Sequence, residues 1–238
     1  MELIFVDESG DSKFKEYFGL CVAVVNHHHY KTVKSGFQNT LIGSNWDESI
    51  EFKGSHLFSA KKGDTSVPID ERIDIAAHIL DLNSSDSNAR MRFHYARRHD
   101  CDDTKQEYLA TLPLLIQRAL PTPKKGRGKD LVTISCDYRQ DITASEIQEV
   151  ALPTVTERGY TLVEEVTTPM SSFHTVGILY ADLISYLSAR IDTIQNDVEL
   201  FENIPPELFE KNGKVQKLRS STELVDRIKK LERYIIEK

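Results

Sequence analysis

Leu3-Ile4-Phe5-Val6-Asp7-Glu8-Ser9-Gly10-Asp11 is the stretch on which the fold turns. Four apolar residues in succession, with no polar alternation, describe a strand covered on both faces. Glu8, Ser9, Gly10 and Asp11 favour a turn, so the strand is expected to stop at Asp7 and leave its carboxylate at the strand's carboxyl end. Open α/β sheets bind their ligands at that end. A strand-ending Asp also serves simply to accept hydrogen bonds from its own turn, so the other acids of the chain have to decide between the two.

Phe18–Val25 reads as a second buried strand, and the short Ser12–Tyr17 link makes the pair an antiparallel hairpin. His27, His28 and His29 follow; neighbours in sequence point in different directions, so they suit a solvated helix start better than a metal site. A helix is expected over Tyr30–Leu41, broken at Gly43–Asp47. In Ile50-Glu51-Phe52-Lys53-Gly54, an extended backbone puts Glu51 and Lys53 on one face. That is either an ordinary surface ion pair or an acid and a base offered together. Lys61–Val67 is a polar loop, Ile69–Leu82 a helix with Ile73, Ala76, Ala77 and Leu80 at helical spacing, and Met91–Tyr95 a short strand followed by the basic run Ala96-Arg97-Arg98-His99.

A helix over Gln106–Leu120 is ended by Pro121 and Pro123. The loop that follows carries Lys124, Lys125, Arg127 and Lys129 among glycines, a solvated turn or a phosphate contact. Leu131–Asp137 repeats the opening pattern, a buried-type strand stopping at an Asp. A helix over Ser145–Arg158, despite Pro153, and a strand over Tyr160–Val166 come next. The most apolar helix is His174–Arg190. There Ile178 and Tyr186 lie about 40° to either side of Asp182, so Asp182 falls inside the apolar arc. A carboxylate so placed needs a partner.

The chain has 238 residues, 39% of them apolar, enough for one large domain with a substantial core. Residues 1–190 form that domain. Residues 191–238 are a helical extension in which Thr222–Lys238 shows an apolar stripe of Leu224, Ile228, Leu231 and Ile235. The stripe suits docking onto the main domain or formation of a homodimer. No run approaches the roughly 18 apolar residues of a membrane span, and the chain opens on a strand rather than a basic, then apolar leader; a cytoplasmic protein without membrane contact is expected. Cys21, Cys101 and Cys136 lack metal-type spacing and are assigned no chemistry. With 37 acidic against 30 basic residues, a net charge of −7 argues against coating nucleic acid by bulk charge. It leaves room for an enzyme that collects carboxylates around metal.

Two strands thus end on acids, Asp7 and Asp137, a core helix carries Asp182, and an extended piece offers Glu51. Neighbouring carboxylates raise one another's pKa, and a divalent cation removes that penalty. An all-oxygen site without His or Cys suits Mg2+ or Mn2+. Two such ions about 4 Å apart hydrolyse phosphodiesters, with Lys53 placed to neutralise a phosphate oxygen.

Phe5-Val6-Asp7-Glu8-Ser9-Gly10-Asp11, Glu51-Phe52-Lys53, the strand ending at Asp137 and Ala181-Asp182-Leu183-Ile184 together resemble the domain of unknown function family 3800. The resemblance spans about residues 1–190. It implies a ribonuclease H-like α/β fold: a mixed sheet, with an antiparallel N-terminal meander and then parallel strands, flanked by helices. It also implies Asp7, Glu51, Asp137 and Asp182 as metal ligands and catalytic acids, with Lys53 near the substrate. Ser9, Lys124, Lys125 and Arg127 are the further candidate substrate contacts. Many relatives carry a Gln three residues before the late Asp, where this chain has Leu179. The expected function is a metal-dependent nuclease or related phosphodiesterase acting on RNA or DNA; the alternative is a non-catalytic nucleic-acid-binding or regulatory module of the same fold. An aspartyl phosphatase would want a second Asp where Ser9 stands. No Gly-x-Ser-x-Gly and no P-loop occurs.

Overall fold

The computed structural model describes residues 1–10, 18–56, 67–84, 91–98, 101–123, 130–188 and 235–236. Its strands are β1 (Glu2–Gly10), β2 (Phe18–Asn26), β3 (Met91–Arg98), β4 (Asp130–Cys136), β5 (Tyr160–Leu162) and β6 (Ile235–Ile236). Its helices are α1 (His27–Gly43), α2 (Ile69–Ser84), α3 (Thr104–Ala119), α4 (Ala144–Glu157) and α5, described over 176–188. The strands form one sheet in the order β5-β4-β1-β2-β3-β6. β1, β2 and β3 are an antiparallel meander, whereas β4 runs parallel to β1 and β5 parallel to β4. This is the mixed sheet expected from the sequence, an antiparallel meander followed by parallel strands and flanked by helices.

β1 is central because it can bury both faces. Leu3 and Phe5 turn to a core shared with α1, α2 and α5, while Ile4 and Val6 turn to one shared with α3 and α4. β2 divides the same way, Cys21, Ala23 and Val25 against Leu20, Val22 and Val24. The helices start where local chemistry favours them: Asn26 caps α1, Asp103 caps α3, and Thr143 with Glu146 forms a capping box on α4. The three histidines open α1 and are exposed. Cys21, Cys101 and Cys136 are all free thiols.

Four expectations need correction. β1 does not turn at Glu8 but runs on to Gly10, because pairing with Leu20, Gly19 and Phe18 of β2 outweighs the local turn preference. β4 is covered on one face only. Val132, Ile134 and Cys136 are buried, but Leu131 is exposed and Thr133 and Ser135 are half-buried, since the two hydroxyl residues give it the period of a one-sided strand. β5 is three residues long rather than seven. Ile235–Ile236, expected to close a helix, instead pair in parallel with Tyr95 and Ala96 on the edge of β3. The rest of Thr222–Lys238, and the extension 191–234, lie outside the described residues, as do Asp11, Lys61–Ser66, His99 and the basic loop 124–129.

Candidate active site

The parallel ladder of β1 and β4 ends at Val6 opposite Cys136. One further bond, from the Asp137 N–H to the Val6 carbonyl at 2.9 Å, carries the chain past the end of β4 and sets Asp137 beside β1. Asp7 follows Leu3 and Phe5 at the strand period, so its side chain faces α5 and is only 4% exposed. It accepts the Glu8 N–H at 2.7 Å. Asp137 accepts the Ser171 hydroxyl at 2.7 Å.

Asp182 comes from α5, half-buried among Ile178, Leu179, Leu183 and Tyr186 as its place in the apolar arc requires. Its partner is the Gly54 N–H, which donates at 2.6 Å. Gly54 packs so closely on α5 that a Cβ there would overlap Tyr186. Two residues before it, Phe52 is fully buried with its ring edge-on to Phe37 and Trp46. Trp46 in turn donates to the Ile50 carbonyl at 2.8 Å. With Phe52 inward, Glu51 and Lys53 project together and pair at 3.0 Å.

These groups share one electrostatic environment. Burial first, then the charges of Asp182, Glu8 and Asp137, push the Asp7 carboxyl well above its ordinary value. Burial also pushes Asp182 up to about 7; the Gly54 N–H and Lys53 oppose the rise, and Glu51 and Asp137 add to it. For Lys53, burial works against the charge, but the Glu51 bond and the charges of Glu51, Asp182 and Asp137 outweigh it and raise the ammonium above its usual value. The fold therefore links Asp7, Glu51, Lys53, Asp137 and Asp182, from four separate segments, through the charges they exert on one another. Ser9 sits further along β1, half-buried opposite Gly19. Lys124, Lys125 and Arg127 are outside the described residues.

Sequence inspection passed over Glu8 and Arg139. Glu8 points to the face opposite Asp7, and burial takes it up to about 7, against Arg139 and with Asp137 and Asp141. Arg139 meets it at 3.2 Å. The strand period alone would have separated Glu8 from Asp7; for Arg139 there was no sequence signal.

The donor set is all carboxylate oxygen; burial lifts Asp7 and Asp182 first, and the repulsion from neighbouring acids that adds to it is the kind a hard divalent cation relieves. In donor chemistry the residues fit Mg2+ or Mn2+. Among the described residues, no three acidic, His or Cys side chains stand close enough together to hold an ion as they are.

No family model matches the chain, and no curated protein matches it. Similar solved structures include ribonuclease HII of Archaeoglobus fulgidus in its complex with PCNA, at 10% identity over 96% of this chain and 91% of that one, with a TM-score of 0.44. Ribonuclease H2 of Pyrococcus horikoshii OT3 is 9% identical over 97% and 100%, TM-score 0.46. Bst-RNase HIII in complex with Mn2+ is 12% identical over 94% and 65%, TM-score 0.37. At such identity nothing about the reaction transfers. No helix among the described residues is long and apolar enough to cross a membrane.

Proposed function

We propose that the chain is a metal-dependent nuclease or related phosphodiesterase of the domain of unknown function family 3800, acting on RNA or DNA in the cytoplasm. The observation that carries this is the convergence of Asp7, Asp137 and Asp182, from β1, the end of β4 and α5: burial raises Asp7 and Asp182 first, the charges of Asp182, Glu8 and Asp137 add to the rise at Asp7, and those of Glu51 and Asp137 add to it at Asp182. Asp7, Asp137, Asp182 and Glu51 would hold Mg2+ or Mn2+. When bound, such ions activate water and stabilise the leaving oxygen of a phosphodiester.

The protein's own contribution is placement. The Gly54 N–H fixes the Asp182 carboxylate, and the Ser171 hydroxyl fixes that of Asp137. The apolar wall of Leu179, Leu183 and Tyr186 keeps water from the inner side of Asp182. Lys53, held charged by its acidic neighbours and still partly exposed, neutralises a non-bridging phosphate oxygen of the bound strand.

Incubation of the purified protein with single-stranded, duplex and hybrid nucleic acids in Mn2+ tests the proposal. Cleavage that needs the metal and disappears in Asp7→Asn and Asp137→Asn supports it. Absence of metal-dependent cleavage on every substrate counts against it. The second reading, a non-catalytic nucleic-acid-binding or regulatory module, is favoured by the absence of a ready-made three-donor cluster among the described residues. Binding of nucleic acid that is unchanged when Asp7, Asp137 and Asp182 are all neutralised would select it.

A further inference from the structure

Asp7 and Glu8 are adjacent on β1 but serve opposite faces of the sheet. Asp7 faces the side of α5 and feels the charge of Asp182, whereas Glu8 faces the side of α3, where the Arg139 guanidinium meets its Oε1 at 3.2 Å. Every side of Arg139 is occupied. Nε and Nη2 bond the two oxygens of Asp141 at 2.9 and 2.7 Å, Nη2 also donates to the Thr104 hydroxyl at 3.2 Å, and the guanidinium lies 5.5 Å over the ring of buried Tyr108. Arg139 is 14% exposed, so this is a half-buried arginine with several fixed partners rather than a free surface pair. The other Glu8 oxygen is buried without a hydrogen-bond partner, which leaves the Arg139 contact as the side chain's main anchor among the described residues.

The contact spans a weak point. β4 stops pairing with β1 at Cys136, and past it, among the described residues, the backbone bond from Asp137 N–H to Val6 O holds the following loop to β1. Glu8 is next to Asp7, and Arg139 is two residues beyond Asp137. We propose that Arg139 is a positioning residue whose tie to Glu8 sets the separation of the Asp7 and Asp137 carboxylates across the end of the parallel ladder. Glu8 is on this view an anchor on the far face, not a member of the acid cluster. The consequence for catalysis rests on Asp7 and Asp137 being the reacting acids; the tie itself does not.

Amide hydrogen exchange and Mn2+ binding by calorimetry, on wild type, Arg139→Gln and Arg139→Lys, decide it. In Arg139→Gln the Glu8 and Asp137 amides are expected to exchange about tenfold faster. The Val163 and Thr167 amides, bonded to Val132 and Ile134 elsewhere on β4, should keep wild-type rates. Mn2+ binding is expected to weaken about 10- to 100-fold. Arg139→Lys keeps the charge but not the planar fork, and should recover only part of both. Should Arg139→Gln fail to fold, Asp141→Asn, which alters the exposed rim of the same fork, reads the same amides with a smaller acceleration in the same place. Unchanged exchange at Glu8 and Asp137, or equal acceleration at every amide, overturns the tie. Wild-type protein that binds no Mn2+ would sink the metal reading, and the exchange comparison would still decide the tie.

Discussion

The Asp182 carboxylate accepts the Gly54 N–H at 2.6 Å, and this one bond joins the late helix α5 to the short segment that carries Glu51 and Lys53. It is made possible by the missing side chain at Gly54. An Ala there would drive its Cβ into Tyr186 of α5 and push the segment off the helix. Gly54→Ala is therefore expected to lower stability by about 1–3 kcal/mol and to abolish metal-dependent cleavage. Urea denaturation and a cleavage assay on the same preparation check both, and an active, fully stable variant would show that the bond is dispensable.

Asp182 also sets a pH dependence. Its carboxyl rises from 3.8 to about 7, chiefly through burial, so the folded chain holds the proton more tightly than the unfolded one. In metal-free protein the associated stability is complete below the ordinary value of 3.8 and is lost as pH climbs through 7. Glu8, raised from 4.5 to about 7, acts with the same sign. Urea midpoints measured in chelator should thus fall between about pH 4 and pH 7, and Asp182→Asn, which keeps an oxygen for Gly54, should shrink that fall. A variant with the wild-type pH profile would refute the assignment.

Lys53 separates charge from scaffold. Its ammonium pairs with Glu51 but stays 42% exposed, so Lys53→Met should change stability by no more than about 1 kcal/mol. Cleavage should nevertheless drop about 100- to 1,000-fold, the usual cost of losing one donor to a developing charge. Circular dichroism melting beside single-turnover cleavage tests the contrast.

Phe52 presents the converse case. It touches no substrate, yet it fills the space between Phe37 and Trp46 and thereby orients the residues on either side of it. Phe52→Ala should cost about 3–5 kcal/mol, and Phe52→Leu much less. Chemical denaturation of the pair measures the difference; equal stability of the two would mean the ring is not what holds the segment.

Much of this arrangement was legible in the sequence. The unbroken Leu3–Val6 run could be satisfied only by two covered faces, and the 100° step along α5 placed Asp182 among Ile178 and Tyr186 before any contact was known. Other features depended on tertiary pairing. Glu8, Ser9 and Gly10 look like a turn until β2 offers them partners, and Ile235 fits a helical stripe until β3 offers its edge. The shortness of β5 was equally hidden, because Val163 and Val166 extend its apolar residues although, of residues 163–166, it is Val163 whose amide bonds back to β4. The Glu8–Arg139 contact joins residues on different elements and had no local signature at all.

The nine consecutive partners that β1 finds on β2, from Glu2 opposite Asn26 to Gly10 opposite Phe18, have a chemical meaning as well as a mechanical one. A slip of one residue would rotate every side chain of β1 to the other side. Glu8 would then be delivered to Asp182, and Asp7 to Arg139. Because two unlike acids stand next to each other at this point, fidelity of strand alignment is also fidelity of which carboxylate meets the substrate.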